Sequence, residues 1–230
     1  MPRRASTTAT TRDGRLSKEG IVAAAVEMAD GDGLAALSMR RLAQHLGVDA
    51  MSIYYHVRDK DTLLGEMADA VVARIDAGAV PADGAWTDRL RALIMAAREA
   101  MVRRPWAARV LEGREAPTPA TMLHLERMLA IMRAGGCSVD LCHHAIHLLG
   151  SRVLGFSQDL FDDSPDTRPA PEVAAAQAAA WAATMPHIAE LAVAVSHEGA
   201  LGGCDDDDEF AFALEIILDG LERRRLASGQ

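Results

Sequence analysis

Residues 37–64 read LSMRRLAQHLGVDAMSIYYHVRDKDTLL and contain two short helix signals separated by a tight turn. Ser38 carries the hydroxyl of an N-cap for a first helix, and Gly47 suits the left-handed residue that ends it. Asp49 can cap a second helix that extends to Val57, so only two residues separate the helices. Two short helices joined by so tight a glycine turn predict a helix-turn-helix.

The apolar residues of this stretch are spaced so that they form the small core of such a motif. These residues are Leu37, Leu42, Leu46, Val48 and Ile53. The small and polar residues between them are therefore expected on the outer surface.

The outward-facing residues have the chemistry of a DNA-binding surface. The start of the first helix can lend backbone N–H groups to a phosphate, and Arg40 lies one turn further in. Residues 50–52 are short or apolar and uncharged, which suits contact with base edges and thymine methyl groups. The basic and phenolic residues that follow suit phosphate contacts. The candidate DNA-binding residues are Ser38, Arg40, Ala50, Met51, Ser52, Tyr54, Tyr55, His56 and Lys60.

Helical patterns dominate the rest of the chain, and no run of alternating β-branched residues appears. One helix should start at an N-cap Ser17 and stop by Gly31–Gly33, and a fourth should run from Asp61 or Thr62 to about residue 77. After a Pro- and Gly-containing linker, helices are predicted at 86–103, from Pro105, from Thr118-Pro119 to Gly135-Gly136, at 138–161, at 172–195 with an interruption at Pro186, and at 205–225.

These elements predict an all-α protein with two domains. Residues 1–16 are expected to be a disordered basic arm, and residues 17–64 a three-helix helix-turn-helix DNA-binding domain with its fourth helix continuing to about 77. Residues 78–230 are expected to be a larger helical domain. The arginines of the arm leave two alternatives open, a plain disordered tail or an arm that reaches the minor groove.

The charge of the 230-residue chain is divided along its length. The net charge is −9, yet residues 1–60 hold nine Lys and Arg against seven Asp and Glu, and the remainder holds 15 against 26. A phosphate-facing surface is therefore expected only at the front. The three cysteines form no CxxC pair and follow no secretory signal, which indicates a cytoplasmic protein.

Residues 17–64 resemble the N-terminal DNA-binding domain of the tetracycline-repressor (TetR/AcrR) family. The matching elements are a first helix ending in ADGDGL, then LSMRRLAQHLGV, then Ile53-Tyr54-Tyr55-His56-Val57, Asp59-Lys60-Asp61 and Leu63-Leu64. The resemblance implies that Tyr54 and Lys60 bind phosphates and that His56 lies on the DNA backbone. It also implies that Arg40 and residues 50–52 face bases. The third helix would then lie in the major groove, and a dimer would bind two half-sites of a palindromic operator.

The second half is similar to the C-terminal domain of the tetracycline-repressor subclass. The matching points are Trp86, Arg104-Pro105-Trp106, and Leu149-Gly150 through Leu154-Gly155-Phe156. The resemblance implies a homodimer formed through helix 138–161 and the C-terminal helix 205–225, and a pocket for a small-molecule effector. The candidate pocket residues are Trp106, Leu111, Met122, His143, His147, Ser151 and Phe156.

The chain departs from the tetracycline binder at the drug site. The positions of its polar and aromatic drug contacts hold Leu93 and Ala97, and those of its metal-binding histidines hold Leu111 and Asp76. We therefore expect no metal or other cofactor, and an effector that is more apolar or differently shaped than tetracycline.

His143 and His147 are four residues apart on one predicted helix and leave three alternatives open. They can pack or make dimer contacts, line the effector pocket, or bind a metal ion. The metal alternative would suit a helical metal-dependent enzyme, but no third ligand and no paired nucleophile and base accompany them. A non-specific DNA-binding dimerisation module is a further alternative, which the acidic second half disfavours. The sequence thus predicts a non-enzymatic, sequence-specific repressor that a small molecule releases from its operator.

Overall fold

The structure is a computed structural model that describes residues 16–75, 80–153, 171–187, 189–190 and 206–228. Every element within these ranges is helical, as the sequence predicts. The helices are α1 (Lys18–Asp32), α2 (Met39–Leu46), α3 (Ala50–Tyr54), α4 (Lys60–Ala73), α5 (Trp86–Arg103), α6 (Pro105–Glu112), α7 (Pro119–Ala134), α8 (Val139–Val153), α9 (Pro171–Ala182) and α10 (Asp206–Ser228), with a 3₁₀ turn at Leu34–Ala36.

The predicted N-cap hydroxyls explain where four of the described helices begin. The hydroxyls of Ser17, Ser38, Thr118 and Ser138 each accept a hydrogen bond from the backbone N–H three residues later. Such bonds satisfy backbone donors that have no partner inside the helix. The predicted starts of α1, α2, α7 and α8 are confirmed, and so are the bounds of α5.

Two of the predicted ends in the front part of the chain are wrong. The helix predicted from Asp49 to Val57 ends at Tyr54, because the N–H groups of His56 and Val57 both bond to the Ile53 carbonyl and close a turn. The fourth helix ends at Ala73 instead of about residue 77, because its last turn tightens into i to i−3 bonds.

The predicted start of α4 is also wrong by one or two residues. The helix begins at Lys60, since the Asp59 carboxylate accepts the Thr62 N–H at 2.7 Å. At the C-terminal end of the chain, α10 continues to Ser228 instead of stopping at 225. The helix predicted at 138–161 is present as Val139–Val153, and its remainder lies outside the described residues.

The chain divides into two compact units, residues 1–155 with 224–230, and residues 156–223. Within the first unit an apolar core joins α1–α4 to α5 and α6. Leu42 and Ile53 are fully buried in the same cluster as Met67 of α4, Met101 of α5 and Trp106 of α6. Burying one side chain of this size contributes about 1.5–3 kcal/mol. The helix-turn-helix is therefore held on the helices that follow it.

Two carboxylates of the front helices bind the start of α6 and of α7. Asp30 of α1 accepts hydrogen bonds from Arg104 Nε at 2.9 and 3.2 Å and from Trp106 Nε1 at 2.9 Å. Asp69 Oδ1 of α4 accepts the Ala120 N–H at 2.7 Å. These bonds fix the orientation of α6 and α7 against the DNA-binding helices more specifically than apolar packing does.

We expect Asp30→Asn to lower the free energy of unfolding by about 1 kcal/mol. The amide removes the charge of the ion pair with Arg104 and replaces one of the two accepting oxygens with an N–H donor, and the pair is only about one-third exposed. Asp32→Asn is the matched control, because Asp32 pairs with Arg41 in a more exposed position and should cost only a few tenths of that amount. Urea unfolding measures both, and equal losses in the two variants would contradict the role given to Asp30.

No helix among the described residues combines the length and the apolar character needed to cross a membrane.

Candidate nucleic-acid interface

The helix-turn-helix is built from α2, a left-handed glycine and α3. Gly47 has φ +67°, and its N–H bonds back to the carbonyls of α2. A side chain other than glycine is strained in this region of backbone space. Asp49 Oδ1 then accepts the Met51 N–H at 2.8 Å and starts α3. The turn therefore depends on the two residue types from which the sequence predicted it.

Burial separates the residues of α2 and α3 into an inner and an outer set. Leu37, Leu42 and Ile53 are buried as predicted, and Leu46 and Val48 are half-buried at the edge of the same core. Ile53 is the one fully buried residue of α3, and Ala50 is half-buried against the same core, so Met51 and Tyr54 form the exposed surface of this short helix. Met51, Tyr54 and Tyr55 are exposed by 65%, 42% and 88%.

Two neighbouring arginines of α2 differ in what they contact. Arg41 donates to the Ala36 carbonyl at 2.9 Å and to Asp32 Oδ2 at 3.0 Å, so its guanidinium holds α2 against the preceding turn. Arg40 is exposed and has no hydrogen-bond or ion-pair partner among the described residues. Arg40 is thus the arginine that remains available for DNA.

The turn after α3 presents basic groups around one well-fixed carboxylate. Asp59 caps α4 and also accepts from Arg58 Nε at 2.8 Å. The backbone bond from Thr62 and the bond from Arg58 hold the pKa of Asp59 well below its usual value. Lys60, the first residue of α4, is exposed and adds its cation at the positive end of that helix. This end of the motif suits phosphate contacts.

The nine predicted DNA-binding residues lie on α2, α3, their caps, the following turn and the first residue of α4. Six of them are exposed, namely Arg40, Met51, Tyr54, Tyr55, His56 and Lys60. Ser38, Ala50 and Ser52 are half-buried, and the Ser38 hydroxyl is engaged in its cap. Arg3, Arg4, Arg12 and Arg15 of the predicted arm lie outside the described residues.

The predicted effector residues occupy different environments. Trp106 is buried and bonded to Asp30, and Leu111 is half-buried against the same core. Met122, His143 and His147 are exposed on α7 and α8. The side chain of Ser151 and the whole of Phe156 lie outside the described residues.

The histidine pair on α8 is close, with its ring centroids 4.7 Å apart and an interplanar angle of 75°. A third ligand does not join it, since within the described ranges no three His, Cys, Asp or Glu side chains converge in a way that could hold a metal ion. The arrangement therefore gives no support to the metal-dependent alternative.

The sequence interpretation missed two polar residues that the structure singles out. Asp30 joins α1 to residues 74 and 76 positions further along the chain, a contact that no local pattern indicates. His124 is buried on α7, and its Nδ1 has no hydrogen-bond partner among the described residues. Its spacing from Met128 and Ile131 placed it on the buried stripe of an amphipathic helix.

Comparisons with known proteins agree with this architecture. Residues 21–67 match the model for bacterial regulatory proteins of the tetR family, and residues 80–225 match the model for the tetracyclin repressor-like C-terminal domain. The HTH-type transcriptional repressor DrrR1 of Streptomyces coeruleorubidus is 32% identical over 217 residues, which cover 90% of this chain and 77% of that protein. The tetracycline repressor protein class D of Escherichia coli is 32% identical over 142 residues, which cover 61% of this chain and 65% of that protein.

A solved structure extends the similarity over nearly the full length. Apo ActR from Streptomyces coelicolor is 28% identical with a TM-score of 0.74, and the match covers 93% of this chain and 98% of that one. ActR has also been solved in complex with actinorhodin. The matched relatives are regulators, so neither the enzymatic nor the non-specific alternative gains support. With both halves matched to the family models, this chain is a transcriptional regulator that belongs to the tetR family of bacterial regulatory proteins.

Proposed function

We propose that the protein is a homodimeric cytoplasmic repressor that binds a palindromic operator through α2 and α3 and leaves it when a small-molecule effector binds. The observation that carries the proposal is the outer surface of the helix-turn-helix. Its front is short, apolar and uncharged from Ala50 to Ser52, and it is bounded by an unengaged Arg40 and by Lys60. This pattern suits base contacts flanked by phosphate contacts.

The proposal assigns separate roles to the two parts of the chain. Residues 17–64, with the continuation of α4, bind DNA, and residues 78–230 bind the effector and dimerise. Large exposed apolar side chains support the dimerisation role of both helices assigned to it. Val139 and Leu148 are exposed on α8, and Phe212 and Ile216 are exposed on α10.

Release requires that the effector bind one of two dimer geometries more tightly than the other. That ActR, which is similar over nearly the whole chain, forms a complex with actinorhodin supports a small-molecule site in this chain. A compound found by thermal shift should lower operator affinity, measured by fluorescence anisotropy with labelled operator DNA. Tight binding of a compound that leaves operator affinity unchanged would refute the release half of the proposal.

Lys60→Ala is the variant that tests the DNA-binding half. If Lys60 binds a phosphate, its loss should weaken binding to operator and to scrambled DNA alike and reduce the slope of log affinity against log salt by about one. The operator is first obtained by selection from random duplexes. Arg109→Ala removes an exposed cation of α6 outside the motif and should leave the slope unchanged. If selection enriches no sequence, or if both variants lower the slope equally, the assignment fails.

A further inference from the structure

The buried histidine of α7 carries an unsatisfied hydrogen-bonding atom in the half of the chain assigned to the effector. His124 is only 9% exposed, and no described residue bonds its Nδ1. Nearly all buried polar atoms in proteins have a hydrogen-bond partner, because an unpaired one loses its hydration without replacement. The unpaired Nδ1 therefore indicates that a group other than the described side chains hydrogen-bonds to it.

The helix that carries His124 packs in a part of the fold whose buried side chains are mainly apolar. The helix α7 packs against α4, α5 and α8. The other buried residues of α7 are Met128, Ile131 and Met132. The helix α5 contributes Leu90, Leu93 and Ile94, each of them fully buried. A mostly apolar environment with one placed polar group is typical of sites for small organic molecules.

The imidazole of His124 is held in its neutral form. Burial lowers its pKa, and the positive charge of Arg127 acts in the same direction. A neutral imidazole has one N–H donor and one bare nitrogen acceptor, and either can be at Nδ1. A hydroxyl group both donates and accepts, so it can pair with Nδ1 in either case. A charged group would lose its hydration in such surroundings.

We propose that His124 is a recognition residue of the effector site, and that the effector is a neutral, mainly apolar molecule whose hydroxyl group hydrogen-bonds to Nδ1. This inference rests on the proposed effector-responsive function and specifies the chemistry of its ligand. It adds a residue that lies on the buried face of α7, whereas Met122 of the same helix is exposed.

Matched pairs of probes test the hydroxyl requirement directly. The pairs are phenol with toluene, 2-naphthol with 2-methylnaphthalene, and 2-anthrol with 2-methylanthracene, which differ within each pair by hydroxyl against methyl and span three sizes. Binding is measured by calorimetry and by the ¹⁵N signals of the histidine rings in the full-length chain. We expect at least one pair to show a preference for the hydroxyl of about tenfold, and the His124 ring signals to shift on its binding.

The variants separate recognition from a structural role. His124→Phe keeps a ring and removes the nitrogens, so it should abolish the hydroxyl preference. His124→Gln keeps a polar side chain and should retain part of the preference. Leu123→Ala, an exposed position of the same helix outside the candidate pocket residues, should retain all of it. Operator binding by each variant shows that it is folded.

Two results would overturn the inference. One is an unchanged hydroxyl preference in His124→Phe, and the other is the absence of binding by every probe to a chain that still binds its operator. Failure of the proposed function would give a different result. Either the wild-type chain would select no operator, or a bound probe would leave operator affinity unaltered. In that event the hydroxyl preference and its loss in His124→Phe still decide the role of His124.

Discussion

Replacing Arg40 with alanine is expected to weaken operator binding by about ten- to a hundredfold and to leave the free energy of unfolding unchanged. The guanidinium is exposed and bonds no described residue, so its loss removes nothing from the folded chain. On DNA its planar donors can pair with the two acceptors of a guanine in the major groove. Titration of labelled operator and urea unfolding measure the two effects.

The neighbouring Arg41 is the control that the chain itself offers. Its bonds to Asp32 and the Ala36 carbonyl hold α2 to the preceding turn, so Arg41→Ala should affect stability more than base recognition. Both partners are about half exposed, which keeps the expected stability loss below about 1 kcal/mol.

The base preference of the variant shows whether Arg40 contacts a base or only a phosphate of the DNA backbone. If Arg40 contacts a base, one base pair in each half-site can be changed in the operator with loss of binding by the wild type but not by the Arg40→Ala variant. An equal loss of affinity for operator and scrambled DNA would contradict base reading and would make Arg40 a phosphate contact.

Local signals in the sequence account for most of the fold. Ser17, Ser38 and Thr118 start their helices as predicted, because a capping side chain bonds to a backbone group only three residues away. Gly47 ends α2 for an equally local reason. Apolar spacing was sufficient to place Leu42 and Ile53 in the core.

Features that depend on distant parts of the chain could not be predicted. The end of α3 depends on where the chain must turn to bring Val57 into the core. Arg40 and Arg41 are equivalent in sequence, and only the position of Asp32 shows which of them is engaged. Asp30 finds its partners, Arg104 and Trp106, 74 and 76 residues further along the chain at the start of α6. The burial of His124 likewise required the helices that pack on α7.

Gly135 ends α7 at a point of close approach to Trp86, and Gly135→Ala is expected to destabilise the fold by about 3 kcal/mol. The backbone at Gly135 has φ −75° and ψ −2°, which alanine adopts without strain, so the effect is one of space alone. An added Cβ would collide with Trp86 Cγ and would lie 2.5 Å from Trp86 Cβ. Trp86 is 9% exposed at the start of α5, so relief requires a shift of one helix against the other.

Gly65→Ala provides the opposite case within the same unit. There the added Cβ would meet the Arg114 guanidinium, 2.6 Å from Nη1, but this is the end of a flexible side chain on an exposed residue. Alanine inside a helix is favoured over glycine by up to about 1 kcal/mol, so Gly65→Ala should be neutral or stabilising once Arg114 moves aside. Urea unfolding should therefore show a large loss of stability for Gly135→Ala. For Gly65→Ala it should show either no change or a gain.

A double-mutant cycle identifies the origin of the Gly135 effect. If the collision with the indole is the cause, Gly135→Ala should cost far less in a Trp86→Leu background, because the smaller side chain leaves room for the Cβ. An undiminished cost in that background would place the strain elsewhere in the junction of α7 and α8. A Gly135→Ala protein as stable as the wild type would show instead that the α5–α7 contact rearranges without loss of stability.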